Sequence, residues 1–197
     1  MSLPAFYDAE IIRKEKFSDS TLLFELKLPE EASFTYQAGQ FILIYQKINE
    51  KEENRAFSIA SKPSQKTVEL LIRIYEQGKV SPYLSQLKKG EKIKIRGPFG
   101  IFTVKNRKEE IIFIAAGTGI APLRSMIHEI LENNLQKKVT LIFGFRQEQD
   151  FFFQEEFNQL ERNYKNFHLY PCATQPTETW PYAKGRVTQI FPNIITN

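Results

Sequence analysis

Hydrophobic and polar positions follow one spacing pattern before about residue 105 and a different pattern after it. Before that point, short segments rich in β-branched and aromatic residues are separated by Pro or Gly, a pattern typical of strands. Their spacing predicts a small antiparallel barrel with one short helix over residues 80–87. The strand segments are residues 9–17, 21–28, 41–46, 55–61, 67–75 and 91–97.

After residue 110, continuous apolar segments alternate with segments of helical spacing, which predicts a doubly wound α/β domain. The first apolar segment is expected to be a parallel strand covered on both faces. One side of the first helix carries Ile120, Leu123, Ile127, Ile130 and Leu131. The predicted strands are residues 111–117, 137–145 and 167–174, and the predicted helices are 121–134 and 151–164.

The polar stretch at residues 104–110 separates the two spacing patterns and marks the expected domain boundary. It divides the chain into an antiparallel β-barrel domain over residues 1–106 and an α/β nucleotide-binding domain over residues 107–197.

Composition narrows the class of protein. Apolar residues make up 42% of the 197 residues, enough for a packed core. The chain contains no apolar run of the ~20 residues that a membrane span needs, and its start lacks the pattern of a signal peptide. A soluble cytoplasmic protein is therefore expected. The single cysteine, Cys172, is expected to pack as a small apolar residue, and two histidines argue against a dedicated metal site.

Charge is unevenly distributed along the chain. Residues 1–107 carry 18 Lys and Arg against 13 Asp and Glu, whereas residues 108–197 carry 9 against 10. The basic run at residues 88–96 is interpreted as a solvated strand edge or as a docking face for an acidic partner. Nucleic acid fits less well, because the excess is small and no basic–aromatic motif recurs.

The stretch IAAGTGIAPLRSM, residues 114–126, is the clearest chemical signal in the chain. Gly117, Thr118 and Gly119 lie between a predicted buried strand and a predicted helix, where backbone amides can approach a pyrophosphate. Pro122 suits the first turn of a helix, because its missing N–H costs nothing there. The alternative interpretation is a tight turn that binds nothing.

Two arginines extend this interpretation. Arg146 follows the second α/β strand, where it could bind a 2′-phosphate with both arms of its guanidinium, and Arg186 offers a second cation. Both favour NADPH over NADH. The alternatives are an ion pair of Arg146 with Glu148 or Asp150, and simple solvent exposure of Arg186 at the start of a helix.

Six motifs in order resemble the ferredoxin–NADP reductase family over nearly the whole chain. They are RAFS at 55–58, GKVSPYL at 78–84, GPFGIF at 97–102, GTGIAPLRS at 117–125, then FGFR and KGRV. The resemblance implies a flavin-binding barrel followed by a nicotinamide-nucleotide domain.

The resemblance also implies roles for individual residues. Arg55 would bind a flavin phosphate, for which its forked guanidinium is suited. Ser58 would be the catalytic residue, with its hydroxyl near the flavin N5 where hydride arrives. The remaining flavin contacts would be Ala56, Phe57, Arg73, Ile74, Tyr75, Gly78, Lys79, Val80 and Ser81. Alternatives are an ion pair of Arg55 with Glu52 or Glu53, and an ordinary strand-end serine at position 58.

The sequence departs from the family at two places. Phe57 stands where the family usually has Tyr, which removes a hydroxyl but keeps an aromatic face for stacking. The family also continues beyond KGRV with a further strand, a Cys-Gly motif and a last helix, whereas this sequence ends at Asn197. Either the sequence is incomplete or the nicotinamide half of the site is impaired.

Together these features predict a flavin oxidoreductase. NADPH or NADH would deliver hydride to FAD, which the family uses more often than FMN. Electrons would pass to an acidic ferredoxin, a flavodoxin, an iron–sulfur or haem protein, or a small acceptor. Two alternatives remain: an FAD-binding electron-transfer subunit of a larger complex, and a non-redox module whose barrel binds oligonucleotides.

Overall fold

The computed structural model describes residues 5–105, 110–133 and 137–195. Its first part is a six-stranded antiparallel sheet in the order β4-β3-β6-β1-β2-β5. A bridge between Ile59 and Leu70 connects the end of β4 to β5 and closes the sheet into a barrel. The elements are β1 (Phe6–Ser18), β2 (Thr21–Lys27), β3 (Phe41–Ile48), β4 (Lys51–Ser58), β5 (Thr67–Arg73), α1 (Val80–Gln86) and β6 (Lys92–Phe99).

Alternation of side chains explains why these strands close around a core. On β6, Ile93 and Ile95 point inward and are almost fully buried, whereas Lys92 and Lys94 are exposed. Of the two interpretations of the basic run, the strand edge is wrong, because β6 is hydrogen-bonded on both sides, to β3 and β1; the docking face stays a prediction. The lysines of β6 instead cover the outer face of the barrel.

The second part is a parallel sheet in the order β10-β9-β8-β7, so the predicted α/β architecture is confirmed. Val187, at the start of α4, packs on Gly144 of β8. Strand alternation directs Phe143 and Phe145 to the other face of β8, where they share a core with α2. The elements are β7 (Glu110–Ala116), α2 (Ile120–Glu132), β8 (Lys138–Phe145), α3 (Gln154–Asn163), β9 (Phe167–Ala173), β10 (Ala183–Lys184) and α4 (Val187–Ile195).

Two local expectations in this domain are wrong. Strand β7 is not covered on both faces: Phe113 and Ala115 face the core shared with α2, whereas Ile112 and Ile114 on the opposite face are 37% and 43% exposed. The helix predicted from residue 151 begins at Gln154. Phe151 and Phe152 precede it and are buried in the core.

The two parts share one hydrophobic cluster. Leu23 and Leu71 point outward from the barrel and pack in the core of the α/β part. Phe17 of β1 meets Phe153 edge to face, with ring centroids 5.1 Å apart. The boundary predicted between residues 106 and 107 lies outside the described residues. No helix in the described segments is long and apolar enough to cross a membrane.

Candidate active site

A cleft of about 680 Å³ lies where the carboxyl ends of the parallel strands face the barrel. This position outside the carboxyl ends of the strands is where open α/β sheets bind ligands. The cleft brings together six of the predicted site residues: Arg73, Tyr75, Gly117, Thr118, Arg146 and Arg186. It also includes the turn at residues 18–21 between β1 and β2, which no sequence motif indicated.

The glycine loop forms a 3₁₀ turn between β7 and α2. Gly117 has a φ of +52°, which favours glycine, and a Cβ there would meet nothing within 4 Å. Gly119 has an ordinary helical φ of −63°, so its conformation does not require glycine. No side chain caps the start of α2, but the Ile120 N–H already donates to the Gly117 carbonyl oxygen, so the amides of the glycine turn itself are the ones left for an anion. Pro122 lies in the first turn, as predicted.

Arg146 is held by an amide rather than by a carboxylate. Its Nε donates a hydrogen bond of 2.8 Å to Oε1 of Gln175. The alternative ion pair with Glu148 or Asp150 is wrong for the described part of the chain. Glu148 instead accepts from the backbone N–H and the hydroxyl of Thr177, and these hydrogen bonds lower the pKa of its carboxyl.

Arg186 reaches the cleft because α4 packs closely on β8. A Cβ at Gly144 would lie 2.5 Å from Cγ1 of Val187, so only glycine admits the helix at this distance. Arg186 directly precedes α4 and is exposed. Both arginines therefore present their charges at the same end of the sheet.

The turn at residues 18–21 provides an independent sign of a polar ligand. The Ser18 hydroxyl is buried without a hydrogen-bond partner, and Ser18 lines the cleft. A buried polar atom without a partner is costly unless something binds it. The hydroxyls of this turn lie in the same cleft as the glycine loop, Arg146 and Arg186, so the lining supplies donors and positive charge that fit a nucleotide.

Arg55 and Lys79 lie next to each other outside this cleft lining. Lys79 Nζ donates to Glu53 Oε1 at 2.5 Å, and Arg55 Nη1 lies 3.9 Å from Glu53 Oε2. The alternative ion pair of Arg55 with Glu53 is thus present, and Arg55 also donates to the Asn54 carbonyl oxygen at 2.6 Å. Two exposed cations on adjacent elements fit a flavin phosphate.

The residues from Arg73 to Ser81 that the family resemblance assigns to the flavin include both exposed side chains and buried ones. Tyr75 is 60% exposed, and Arg73 Cζ lies 5.5 Å from the centroid of its ring. Val80 is buried in the barrel core, so only its backbone is available to a ligand. Ser81 Oγ accepts a hydrogen bond of 3.1 Å from the Tyr75 N–H, which leaves its own proton free to donate.

The remaining flavin-assigned residues lie close by. Ala56 and Gly78 are exposed, and Ile74 packs partly on the barrel core. Successive residues of a strand point to opposite faces, so Phe57 and Ser58 can both contact one flavin only if the strand ends or twists there. Strand β4 does end at Ser58. Phe57 packs partly on the barrel core, and Ser58 is half-buried.

Comparison with known protein families identifies the two halves. Residues 8–104 match the oxidoreductase FAD-binding domain, and residues 113–194 match the oxidoreductase NAD-binding domain. The chain belongs to the ferredoxin–NADP reductase family. Its cofactors are accordingly FAD and a nicotinamide nucleotide.

Three curated relatives illustrate the breadth of the family. The chain is 33% identical to NADH-cytochrome b5 reductase 1 of Kluyveromyces lactis, over 90% of this chain and 66% of that protein. It is 34% identical to the phenol hydroxylase P5 protein of Acinetobacter pittii, over 97% and 54%. It is 29% identical to one subunit of the Na(+)-translocating NADH-quinone reductase of Serratia proteamaculans, over 94% and 56%. The chain therefore spans 54–66% of these relatives' lengths.

Solved structures establish the fold. The CS-b5R domains of human Ncb5or in the NAD+ form superpose with a TM-score of 0.89 at 22% identity, covering 100% of this chain and 59% of that one. A ferredoxin NADP+ reductase from Neisseria gonorrhoeae with bound FAD and NADP gives a TM-score of 0.83 at 19% identity, covering 98% and 77%.

Proposed function

We propose that this chain is a flavin-dependent reductase that takes hydride from NADPH or NADH and passes electrons to an acceptor protein. The observation that carries the proposal is the cleft in which the glycine loop, Arg146 and Arg186 face Arg73 and Tyr75 of the barrel. A nucleotide bound at the sheet would there lie against the elements assigned to the flavin. When bound, the flavin supplies a hydride acceptor and an electron donor.

The residues of the chain supply binding and alignment. Gly117 and Thr118 offer backbone amides to the nucleotide phosphates, while Arg146 and Arg186 neutralise further negative charge. Arg55 and Lys79 hold the flavin phosphates, and the exposed ring of Tyr75 offers a stacking surface. Ser58 donates a hydrogen bond near the position where hydride arrives.

The acceptor is proposed to be an acidic protein. The barrel half carries the excess of positive charge, and Lys92 and Lys94 lie exposed on its outer face. The names of the relatives include a cytochrome b5 reductase and part of a quinone reductase, so acceptors differ within the family. Charge complementarity favours an acidic surface over a neutral one.

The alternative is an electron-transfer subunit that binds FAD but needs a larger complex for activity. One relative is named as a subunit of the Na(+)-translocating NADH-quinone reductase, and this supports the alternative. The oligonucleotide-binding alternative loses its basis, because the barrel half matches an FAD-binding domain.

The experiment that separates the two remaining functions is turnover with ferricyanide. The purified chain is loaded with FAD, and oxidation of NADPH and of NADH is followed separately. Sustained oxidation by the isolated chain supports the reductase. Tight FAD binding without oxidation of either nucleotide supports the alternative.

A further inference from the structure

Arg124 on α2 is a buried cation that the proposed function has not used. Its side chain is 10% exposed. Nη1 donates to Oε2 of Glu69 on β5 at 2.6 Å and to the carbonyl oxygen of Ala60 at 2.9 Å. Both acceptors belong to the barrel, whereas Arg124 belongs to the nucleotide domain. One side of the guanidinium therefore connects the two domains directly.

The other side of the guanidinium is fixed within the nucleotide domain. Nε and Nη2 donate to the two carboxylate oxygens of Glu156 on α3, at 2.7 and 2.8 Å. His128 shares Glu156 through a hydrogen bond of 2.7 Å. The ring of Phe153 covers the guanidinium, with its centroid 4.2 Å from Cζ. Arg124 is thus held in one orientation by β5, by α3 and by residues that precede each of them.

Such a contact fixes geometry more effectively than it adds stability. Removing charges from water offsets much of their attraction, so apolar residues of similar size often stabilise a protein equally well. The forked hydrogen bonds, in contrast, accept only a narrow range of directions. We therefore expect Arg124 to restrict the angle between the two domains more tightly than an apolar contact would.

The position of Arg124 relates this restriction to the candidate active site. Arg124 lies five residues after Gly119, about 7.5 Å along the axis of α2. Glu69 lies four residues before Arg73, about 13 Å along β5. The contact between Arg124 and Glu69 therefore joins the helix that begins at the glycine loop to the strand that leads to Arg73 and Tyr75.

We propose that Arg124 is a positioning residue for hydride transfer: by binding Glu69 and Glu156 together it sets the angle between the nucleotide domain and the flavin barrel. The inference rests on the proposed function, because hydride transfer requires the two rings to be aligned. A displacement of about 1 Å at the reacting atoms can lower a rate by about 100-fold.

The first test is kinetic and uses the full FAD-loaded chain. The double variant Glu69→Met/Arg124→Met removes the charges that join the domains and keeps similar volume. Because Glu156 loses its Arg124 partner in this variant, we expect a lower thermal midpoint, so the rate is measured per FAD-loaded molecule at a temperature well below that midpoint. Its limiting rate of flavin reduction should fall at least about tenfold, with an unchanged nucleotide concentration for half-maximal rate. The control Arg162→Met breaks a surface pair with Glu155 inside α3 and should leave the rate unchanged.

The second test measures the domain angle without any cofactor chemistry. Spin labels are placed through Glu30→Cys and Gln159→Cys, two exposed positions in different domains, in a Cys172→Ala background. The distance distribution should be narrow with Arg124 present and broad in the double variant. If the double variant does not fold, Arg124→Lys takes its place, since lysine keeps the charge but lacks the fork.

The outcomes are distinguishable. A variant with wild-type rate and an equally narrow distribution overturns the proposal, as does a loss of stability without a change in the rate per FAD-loaded molecule. A wild type that neither nucleotide reduces overturns the proposed function, and with it the role in hydride transfer. The distance measurement would still show in that case whether Arg124 sets the domain angle.

Discussion

Glu53 neutralises Lys79: the Lys79 ammonium donates a 2.5 Å hydrogen bond to Oε1 of the Glu53 carboxylate. This hydrogen bond lowers the pKa of the Glu53 carboxyl, so the group is ionised at neutral pH. Arg55 lies 3.9 Å from the second oxygen. Glu53 is therefore an internal counter-ion for both cations that are proposed to hold the flavin phosphates.

The first prediction concerns flavin affinity. Glu53→Gln should tighten FAD binding by about two- to fivefold, because the carboxylate no longer competes for Lys79 or repels a phosphate. Equilibrium titration of the flavin-free protein with FAD measures the effect. The matched control is Glu52→Gln, whose side chain points to the other side of β4.

Arg55 should act in the opposite direction at the same site. Arg55→Ala removes a charge-assisted contact of about 1.5–3 kcal/mol, so FAD should dissociate from this variant on gel filtration. Weaker binding by Glu53→Gln, or full retention of FAD by Arg55→Ala, would show that the phosphates lie elsewhere.

The second prediction concerns Ser58. Ser58→Ala should slow flavin reduction while FAD stays bound, because its hydroxyl is proposed to act near the position where hydride arrives. Stopped-flow mixing with NADPH or NADH under anaerobic conditions measures the rate. The same rate in the variant and the wild type would leave Ser58 as an ordinary residue at the end of β4.

The third prediction concerns the choice of nucleotide. The wild type should use NADPH more efficiently than NADH, because Arg146 and Arg186 both reach the cleft and neither Glu148 nor Asp150 neutralises Arg146 in the described structure. The double variant Arg146→Ala/Arg186→Ala should lower kcat/KM for NADPH and leave that for NADH nearly unchanged. A wild type that prefers NADH would contradict the assignment, as would an unaltered ratio in the variant.

The fourth prediction concerns stability in acid. Burial disfavours the charge of Glu156, but hydrogen bonds from His128 and Arg124 outweigh it and lower its pKa to about 2, from an ordinary value of 4.5. A depressed carboxyl pKa stabilises the fold above pH 4.5, and this contribution is lost as the pH falls toward 2. The shift corresponds to about 3 kcal/mol of unfolding free energy.

Denaturant unfolding at several pH values tests this contribution. The difference in unfolding free energy between the wild type and Glu156→Gln should shrink as the pH falls from 4.5 toward 2. A difference that does not change with pH would mean that Glu156 titrates normally in the folded protein.

Sequence patterns were most informative where the chemistry is local. The glycine loop, Pro122 and Arg146 are recognisable because a strand, a tight turn and a helix follow one another within a short stretch of chain. The apolar side of α2 could be predicted for the same reason. Its five apolar positions recur at helical spacing, and all are buried.

Interactions between distant residues could not be predicted. Arg124 lies inside the glycine-loop motif, but its partner Glu69 is 55 residues away on a barrel strand. Phe153 fits a helical pattern in the sequence, yet it has a φ of +60° and precedes α3 while covering Arg124. The exposed face of β7 was missed because a continuous apolar run does not show whether a helix covers each face of a strand.

Reduction of a barrel-bound flavin by a nucleotide in the cleft is the step on which the proposed function depends. Anaerobic mixing of the FAD-loaded chain with NADPH, and separately with NADH, tests it most directly, with visible flavin absorption as the readout and dithionite as the reference reductant. At least one nucleotide should bleach the flavin as completely as dithionite does. A flavin that dithionite bleaches and neither nucleotide reduces would contradict the proposed function.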